Sequence, residues 1–409
     1  MRLVPLNIDS IVTGQPLPFS LRDAQGKLLA QKGYTIPSKA ELLTMLSKGF
    51  ELYIDIVESE AQHKAYLAKL YDLTREQRNL GQIAKTTIER GTLNTGGRPL
   101  IDGPADWLDL QANANILLKD GKSSSFVERL REFQFVLHQH SLSNPDGTLF
   151  ALFYLASAEV KMYSATHAML VSVACNLAAR EVLKWSPQES ETLGLAALSM
   201  NISMTELQDE LAQQTDPLNQ AQSALINTHR ALSAHMLEQQ GVTDTVWIGA
   251  VLNHHSTPPG PLSGRSVAGR IARLIHCADR FVASLSPRAS RVPFSPAAAM
   301  QACYFDENKQ VDEAGAALIK AVGIYSPGSF VKLTSNEIAI VVRRGFNSAT
   351  PRVAVLVNRD GVPTVEPMIR DTSLREYRIV SSIPSRDMKV KINLERMLKL
   401  TVPTSQDRA

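Results

Sequence analysis

Cysteine is scarce in this chain: Cys175, Cys277 and Cys303 are the whole complement in 409 residues. They lie far apart, show none of the paired spacings of zinc sites, and sit among apolar neighbours. They are expected to be buried free thiols rather than disulfide halves or metal ligands. Long apolar runs are missing too, since no stretch approaches the roughly 18 to 20 apolar residues of a membrane span. The first residues, MRLVPLNIDSIVTG, are too polar and too broken by Pro and Gly for a secretory leader, so a cytoplasmic protein is expected. Charge of one sign is also lacking: the formal net charge is +3, and no cluster of Lys and Arg supplies a nucleic-acid footprint. There is no internal repeat and no low-complexity tract. What is present is an ordinary soluble composition, 44% hydrophobic and 20% charged, in a chain long enough for roughly two or three domains.

Taken in order, residues 1–58 read as a small α+β module. Short strands at Leu17 to Leu21 and Leu28 to Gln31 flank a turn at Asp23-Ala-Gln-Gly26, a helix starts near Ser38, and Phe50 to Ile56 returns as a strand. Residues 59–146 read as a helical linker region, with a Gly- and Pro-rich loop at 92–106 and helices at 109–120 and 126–140. His138 and His140, two apart on a helix, point in different directions and are assigned to the surface. From 147 to 325 the periodicity is helical nearly throughout, as in a bundle. Residues 326–409 change character: β-branched runs at 329–333, 338–343 and 353–358 predict a small antiparallel sheet, followed beyond about 370 by a polar, surface-packed tail.

Chemistry concentrates between His167 and Asp279. Six of the nine histidines fall there: His167, His229, His235, His254, His255 and His276. Imidazoles with a carboxylate are the ligand types for divalent metals that act on phosphate esters. Asp279 lies three residues after His276, on the same helix face. A packing role is assigned to His276 and a structural one to His235, six residues beyond His229.

These residues resemble the HD-GYP branch of the HD phosphohydrolases. His167-Ala-Met-Leu-Val171 is similar to the family's H-S-x-x-V, and the segment from His229 echoes its H-P-x-x-G-x-x-x-L without the Pro and Gly. His254-His255 matches the double histidine of H-H-E. Arg270 to Ala283 matches R-I-x-x-x-A-D-x-F-x-A closely, and Ile324 to Leu333 resembles Y-P-x-G-S-x-V-x-L. The resemblance covers roughly residues 150 to 358 in collinear order. It implies a mainly α fold, an HD-type helical bundle with two or three metal ions, often iron or manganese, that hydrolyses cyclic di-GMP. By the same resemblance the metal ligands are His167, His229, His254, His255 and Asp279. Arg288 and Arg291 stand where the family's S-x-R-P-Y-R contacts substrate phosphates, a task suited to the planar guanidinium.

The departures from the family pattern fall on the ligands themselves. Where A-L-L-H-D-I-G-K should stand, the chain reads Ala197-Leu-Ser-Met-Asn-Ile-Ser-Met204, so Met200 and Asn201 occupy the His-Asp positions. A bridging carboxylate offers two anionic oxygens, whereas Asn offers one neutral carbonyl. The family's Lys is Met204, the Glu four residues before the first His is Tyr163, and the H-H-E-x-x-D-G-x-G-Y-P loop has shrunk to His254-His-Ser-Thr-Pro-Pro-Gly-Pro261. The expectation is a catalytically impaired protein that acts as a nucleotide-binding or protein-interaction regulatory module in bacterial signalling. Its partners would be cyclic di-GMP or a signalling protein. The alternative is an active metal-dependent phosphodiesterase. His229, His254 and His255 could hold one divalent metal, iron or manganese; a metal-free or weakly loaded polar pocket is favoured over it.

Overall fold

The computed structural model describes residues 105–403, apart from 159, 257, 287, 290–293, 307 and 389, together with 3–5, 17, 20–23, 28–31, 33, 34, 36 and 53–55. The chain divides into two compact units, Met1–Asp102 and Gly103–Ala409. In the first, strands β1 (Leu3–Pro5), β2 (Leu21–Arg22), β3 (Leu28–Ala30) and β4 (Tyr53–Asp55) form an antiparallel sheet in the order β1-β4-β2-β3. Leu21 faces Ala30 across β2 and β3, and both are buried with Leu17 and Ile36. The helix expected from Ser38, the helical stretch 60 to 92 and the loop that follows it, as far as residue 104, lie outside the described residues.

The second unit is mainly α. Its helices, numbered over the described residues, begin with α1 (Trp107–Lys119), α2 (Phe126–Ser143) and α3 (Pro145–Ala158). Next comes α4 (Tyr163–Leu177), which runs into a π-helical turn, Ala178–Leu183. Every residue of α4 is buried, its polar Ser164, Thr166, His167, Ser172 and Asn176 among them, as in a helix packed on all sides. Its first backbone amides need outside partners. The Ser164 amide donates to Asp209 Oδ1 at 2.8 Å, and Lys119 pairs with the other carboxylate oxygen at 2.7 Å.

Helix α5 (Pro187–Ser199) opens on a capping box of Ser186 with Glu189. The 3-10 turn Ile202–Met204 leads into α6 (Thr205–Gln213). Asn219 and Gln222 make the capping box of α7 (Gln220–Gln239), and Gly241, at φ 81, follows its end. Asp244 caps α8 (Thr245–Asn253), whose Trp247 is fully buried and donates to Ser199 Oγ at 2.9 Å.

The most amphipathic of the site-bearing helices is α9 (Val267–Leu285), with Ile271, Leu274, Ile275, Ala278, Phe281 and Val282 on its buried face. It packs against α4 and α8, and also against α10 (Pro296–Tyr304) and α11 (Glu313–Val322). Arg273 of α9 and Asp312, the cap of α11, form an ion pair with both side chains 1% exposed.

The C-terminal sheet has five antiparallel strands, two more than the sequence predicts. They are β5 (Phe330–Leu333), β6 (Ile338–Arg343), β7 (Arg352–Val357), β8 (Ile369–Asp371) and β9 (Ile379–Ile383), ordered β8-β7-β6-β5-β9. Both faces are covered. Ile340, Val342, Ala354 and Leu356 pack with Phe150 of α3 and Met397 of α12 (Leu394–Leu400); Val331, Ala339, Val341 and Val353 pack with Tyr325 and Tyr377. The continuous apolar run of β6 follows from that double burial. The region beyond 370 is thus not a simple polar tail: β9 pairs with β5 and α12 closes the core.

One further expectation is corrected. His138 and His140 are half-buried, and the His140 ring lies 5.8 Å from that of Trp107. Helix α2 packs against α1, α3, α4 and α5, so little of its circumference is left to water. Cys175, Cys277 and Cys303 are buried free thiols, as expected. Among the described residues no helix is long and apolar enough to cross a membrane.

Candidate metal and phosphate site

Four elements meet at the histidines. His167 lies on α4, His229 in the middle of α7, His254 and His255 directly after α8, and Asp279 on the inner face of α9. His229 and His254 are buried, and the His255 side chain is 34% exposed, so the site opens at His255.

The tautomers of the two buried rings follow from their partners. His229 Nδ1 is bonded to the Ile226 carbonyl, and His254 Nδ1 to the Val251 carbonyl at 2.6 Å. A carbonyl oxygen only accepts, so each Nδ1 carries the proton and each Nε2 presents a lone pair. These two Nε2 atoms face each other at 3.2 Å. Burial pushes the pKa of His254 down to about 3, with the charge of His255 acting in the same direction. Burial lowers that of His229 as well, against the pull of its backbone hydrogen bond. Near neutral pH both rings are uncharged, so no proton lies between the facing nitrogens. The contact is a confrontation of lone pairs that a cation would relieve.

A metal passes the test of fit here. Ligand nitrogens of His229, His254 and His255 all lie within 4.8 Å of one another. Nitrogens about 2.1 Å from one tetrahedral ion stand about 3.4 Å apart, so the set closes on an ion by small adjustments. The carbonyl bonds to each Nδ1 are the outer partners that orient metal-binding imidazoles.

The other half of the site is arranged differently. His167 Nε2 donates to Asp279 Oδ1 at 2.7 Å, and Asp279 Oδ2 stands 3.7 Å from His255 Nε2. Burial would raise the pKa of Asp279, but the hydrogen bond and charge of His167, with His255 and His254, outweigh it and hold the carboxyl well below its usual range. His167 therefore spends its ligand nitrogen on Asp279. Met200 is 1% exposed, and the Asn201 carbonyl oxygen is buried without a partner. Both residues line a small cavity with Ser164, Ala168, Thr205 and Gln208, and none of the site histidines lines it. A second cation fits this half poorly: beside the His167–Asp279 pair it offers only a thioether and a neutral amide, and no second carboxylate to bridge two ions.

Tyr163 stacks on His167 at 5.5 Å and 19°. Arg288 lies over the Tyr163 ring at 4.9 Å and donates from Nη2 to its hydroxyl at 2.7 Å. No carboxylate pairs with Arg288 among the described residues, and its Nε is buried without a partner. Arg291 lies outside the described residues. Met204 caps α6 and takes no part. His276 donates from Nδ1 to the His254 carbonyl at 3.0 Å, bracing the backbone of the pair, whereas His235 is exposed on the far side of α7 beside Gln239 and Glu238.

The contracted loop after His255 is fastened from two sides. Arg265 donates to the carbonyls of Pro258, Gly260 and Pro261 at 2.7, 3.0 and 2.8 Å. Arg230 donates from Nη1 to Ser256 Oγ and to the Leu252 carbonyl. Arg230 was not foreseen in the sequence; its position directly after a candidate ligand was the available signal.

No protein-family profile matches the chain. Over 213 residues it is 25% identical to a cyclic di-GMP phosphodiesterase of Pseudomonas aeruginosa. That match covers 51% of this chain and 51% of the relative, so the chain spans about half of the relative's length. Among solved structures, an HDG"Y"P protein from Bdellovibrio bacteriovorus aligns over 78% of this chain and 98% of its own, with a TM-score of 0.41 and 14% identity. The Pseudomonas relative agrees with the resemblance carried by the sequence motifs.

Proposed function

We infer that the chain is a degenerate HD-GYP-type protein that holds one divalent cation and binds a cyclic dinucleotide, cyclic di-GMP by the resemblance, without hydrolysing it efficiently. Such a protein would serve bacterial signalling as a binding or regulatory module. The observation that carries this is the occupancy of the His-Asp positions. Met200 is sealed in the core and Asn201 is a neutral amide beside an adjoining cavity, so no carboxylate bridges two cations. Two-metal hydrolysis depends on clamping both the attacking and the leaving oxygen.

His229, His254 and His255 would hold the single cation, iron(II) or manganese(II) by the resemblance, which would polarise a phosphate oxygen and lower the pKa of a bound water. Asp279 holds His167 and faces His255, fixing the wall of the pocket. Arg288, held on Tyr163 and without a carboxylate partner among the described residues, supplies positive charge for a phosphate.

The test is incubation of the purified chain with cyclic di-GMP and iron(II) or manganese(II), without oxygen, following both turnover and retained ligand. Retention without turnover, lost in Arg288→Ala, is the expected result. Rapid metal-dependent turnover would overthrow this assignment in favour of an active phosphodiesterase, which the histidine trio itself supports. Absence of both would leave a protein-binding scaffold.

A further inference from the structure

We propose that Arg230 is a phosphate-binding residue particular to this chain, placed at the open side of the histidine trio to hold anionic oxygens of the ligand. This rests on the reading of the site as a phosphate-ester pocket. In the motif that the segment from His229 resembles, the residue after the histidine is Pro, which can carry no charge to a ligand. Here it is Arg, on the same turn of α7 as His229.

Two observations converge on it. Its Nη1 is fixed by Ser256 Oγ and by the Leu252 carbonyl at 3.3 Å, on the segment that carries His254 and His255. The guanidinium is therefore held beside His255, the partly exposed member of the trio. Second, no carboxylate pairs with it among the described residues. Arg270, Arg273, Arg344 and Arg370 each pair with one, and Arg265 is spent on three carbonyls. A cation left unneutralised beside three imidazoles is unfavourable in the empty pocket and favourable once an anion enters. The N–H groups on Nη2 and Nε remain for that anion, and the planar fork suits a phosphate.

A merely structural role, pinning the contracted loop, predicts something different, and the test separates the two. The full chain is titrated calorimetrically with cyclic di-GMP, with manganese(II) present, as wild type and as Arg230→Gln, Arg230→Ala, Ser256→Ala and Arg288→Ala. Gln keeps a donor for the Leu252 carbonyl and removes the charge; Ser256→Ala keeps the charge and removes a pin. Loss of a charge-assisted hydrogen bond weakens binding about ten- to a hundredfold. That loss is expected in both Arg230 variants, with Ser256→Ala within about threefold of wild type. Wild-type affinity in Arg230→Gln, or Ser256→Ala matching Arg230→Ala, would overturn the proposal. If Arg288→Ala alone abolishes binding, the phosphate pocket stands and the role of Arg230 falls. If the wild-type chain retains no cyclic di-GMP, both fall together.

Discussion

Acid should destabilise this protein through His254, and the size of the effect can be worked out. The His254 side chain is wholly buried and its pKa is depressed from 6.5 to about 3, burial being the largest cause. In the unfolded chain the same residue titrates near its ordinary value. The folded-state pKa is the lower one, so the stability is fully present above about pH 6.5 and is lost as pH falls towards 3. Linkage then gives a loss of about 2 kcal/mol between pH 7 and pH 5 from this one residue. His255, shifted down to about 4 by burial first, adds in the same direction. The assay is urea denaturation at pH 7, 6 and 5 with a chelator present, for wild type and for His254→Gln, which keeps a donor for the Val251 carbonyl and does not titrate. The wild type should lose about 2 kcal/mol more than the variant over this range. Parallel pH profiles would show that His254 is not held neutral, and with it the facing lone pairs would lose their basis. A divalent metal should flatten the profile by holding the imidazoles deprotonated.

Other perturbations have defined outcomes. Arg273→Met strands the carboxylate of Asp312 in a pair that is 1% exposed on both sides, and should cost about 3–5 kcal/mol in chemical denaturation. Arg273→Met with Asp312→Asn should recover much of that loss, because the amide still caps α11. In Gly315→Ala the new Cβ would stand 1.9 Å from the Cys303 carbonyl oxygen. Moving α10 away should cost about 3 kcal/mol or more, read as a lowered melting temperature. Met200→His with Asn201→Asp restores the missing ligand types. Bound manganese, measured by elemental analysis, should rise from about one towards two ions per chain, accompanied by turnover; an unchanged metal content would mean the segment 200–204 lies too far from the trio.

Much of the bundle was legible because its helices carry both period and punctuation. Pro187 marks the start of α5, Gly241 the end of α7, and the prolines after His255 the end of α8. Helix α6 carries little of that period, because Thr205–Gln213 is mostly polar, with Leu207 and Ala212 its buried apolar residues. Strands β8 and β9 lack a clean alternation, as sheet-edge strands with partly exposed residues do. Helix α12 spans seven residues, too few for a period to emerge. The spacing of His138 and His140 could not tell that α2 is packed among neighbouring helices. At the site, motif order singled out candidate ligands, whereas the hydrogen-bonded pair of His167 with Asp279 and the placement of Arg230 against the loop are tertiary facts.

The two halves of the site differ in how their ligand nitrogens are engaged, and that contrast supports a working pocket around the trio. Around His167 the imidazole donates from Nε2 to Asp279, and Tyr163 and Arg288 stack in beside it, although His167 Nδ1 is buried without a partner. Around His229 and His254 the facing nitrogens have no donor between them. Two neutral rings, each oriented by its own backbone carbonyl, still direct lone pairs at each other across 3.2 Å. A buried acceptor without a donor costs about 1–3 kcal/mol. Turning either ring to bond the other would break its Nδ1 hydrogen bond to a carbonyl and leave a second group unsatisfied. The trio therefore has no low-energy closed form of its own, which supports the proposal that a cation would complete it where a proton, excluded by burial, does not.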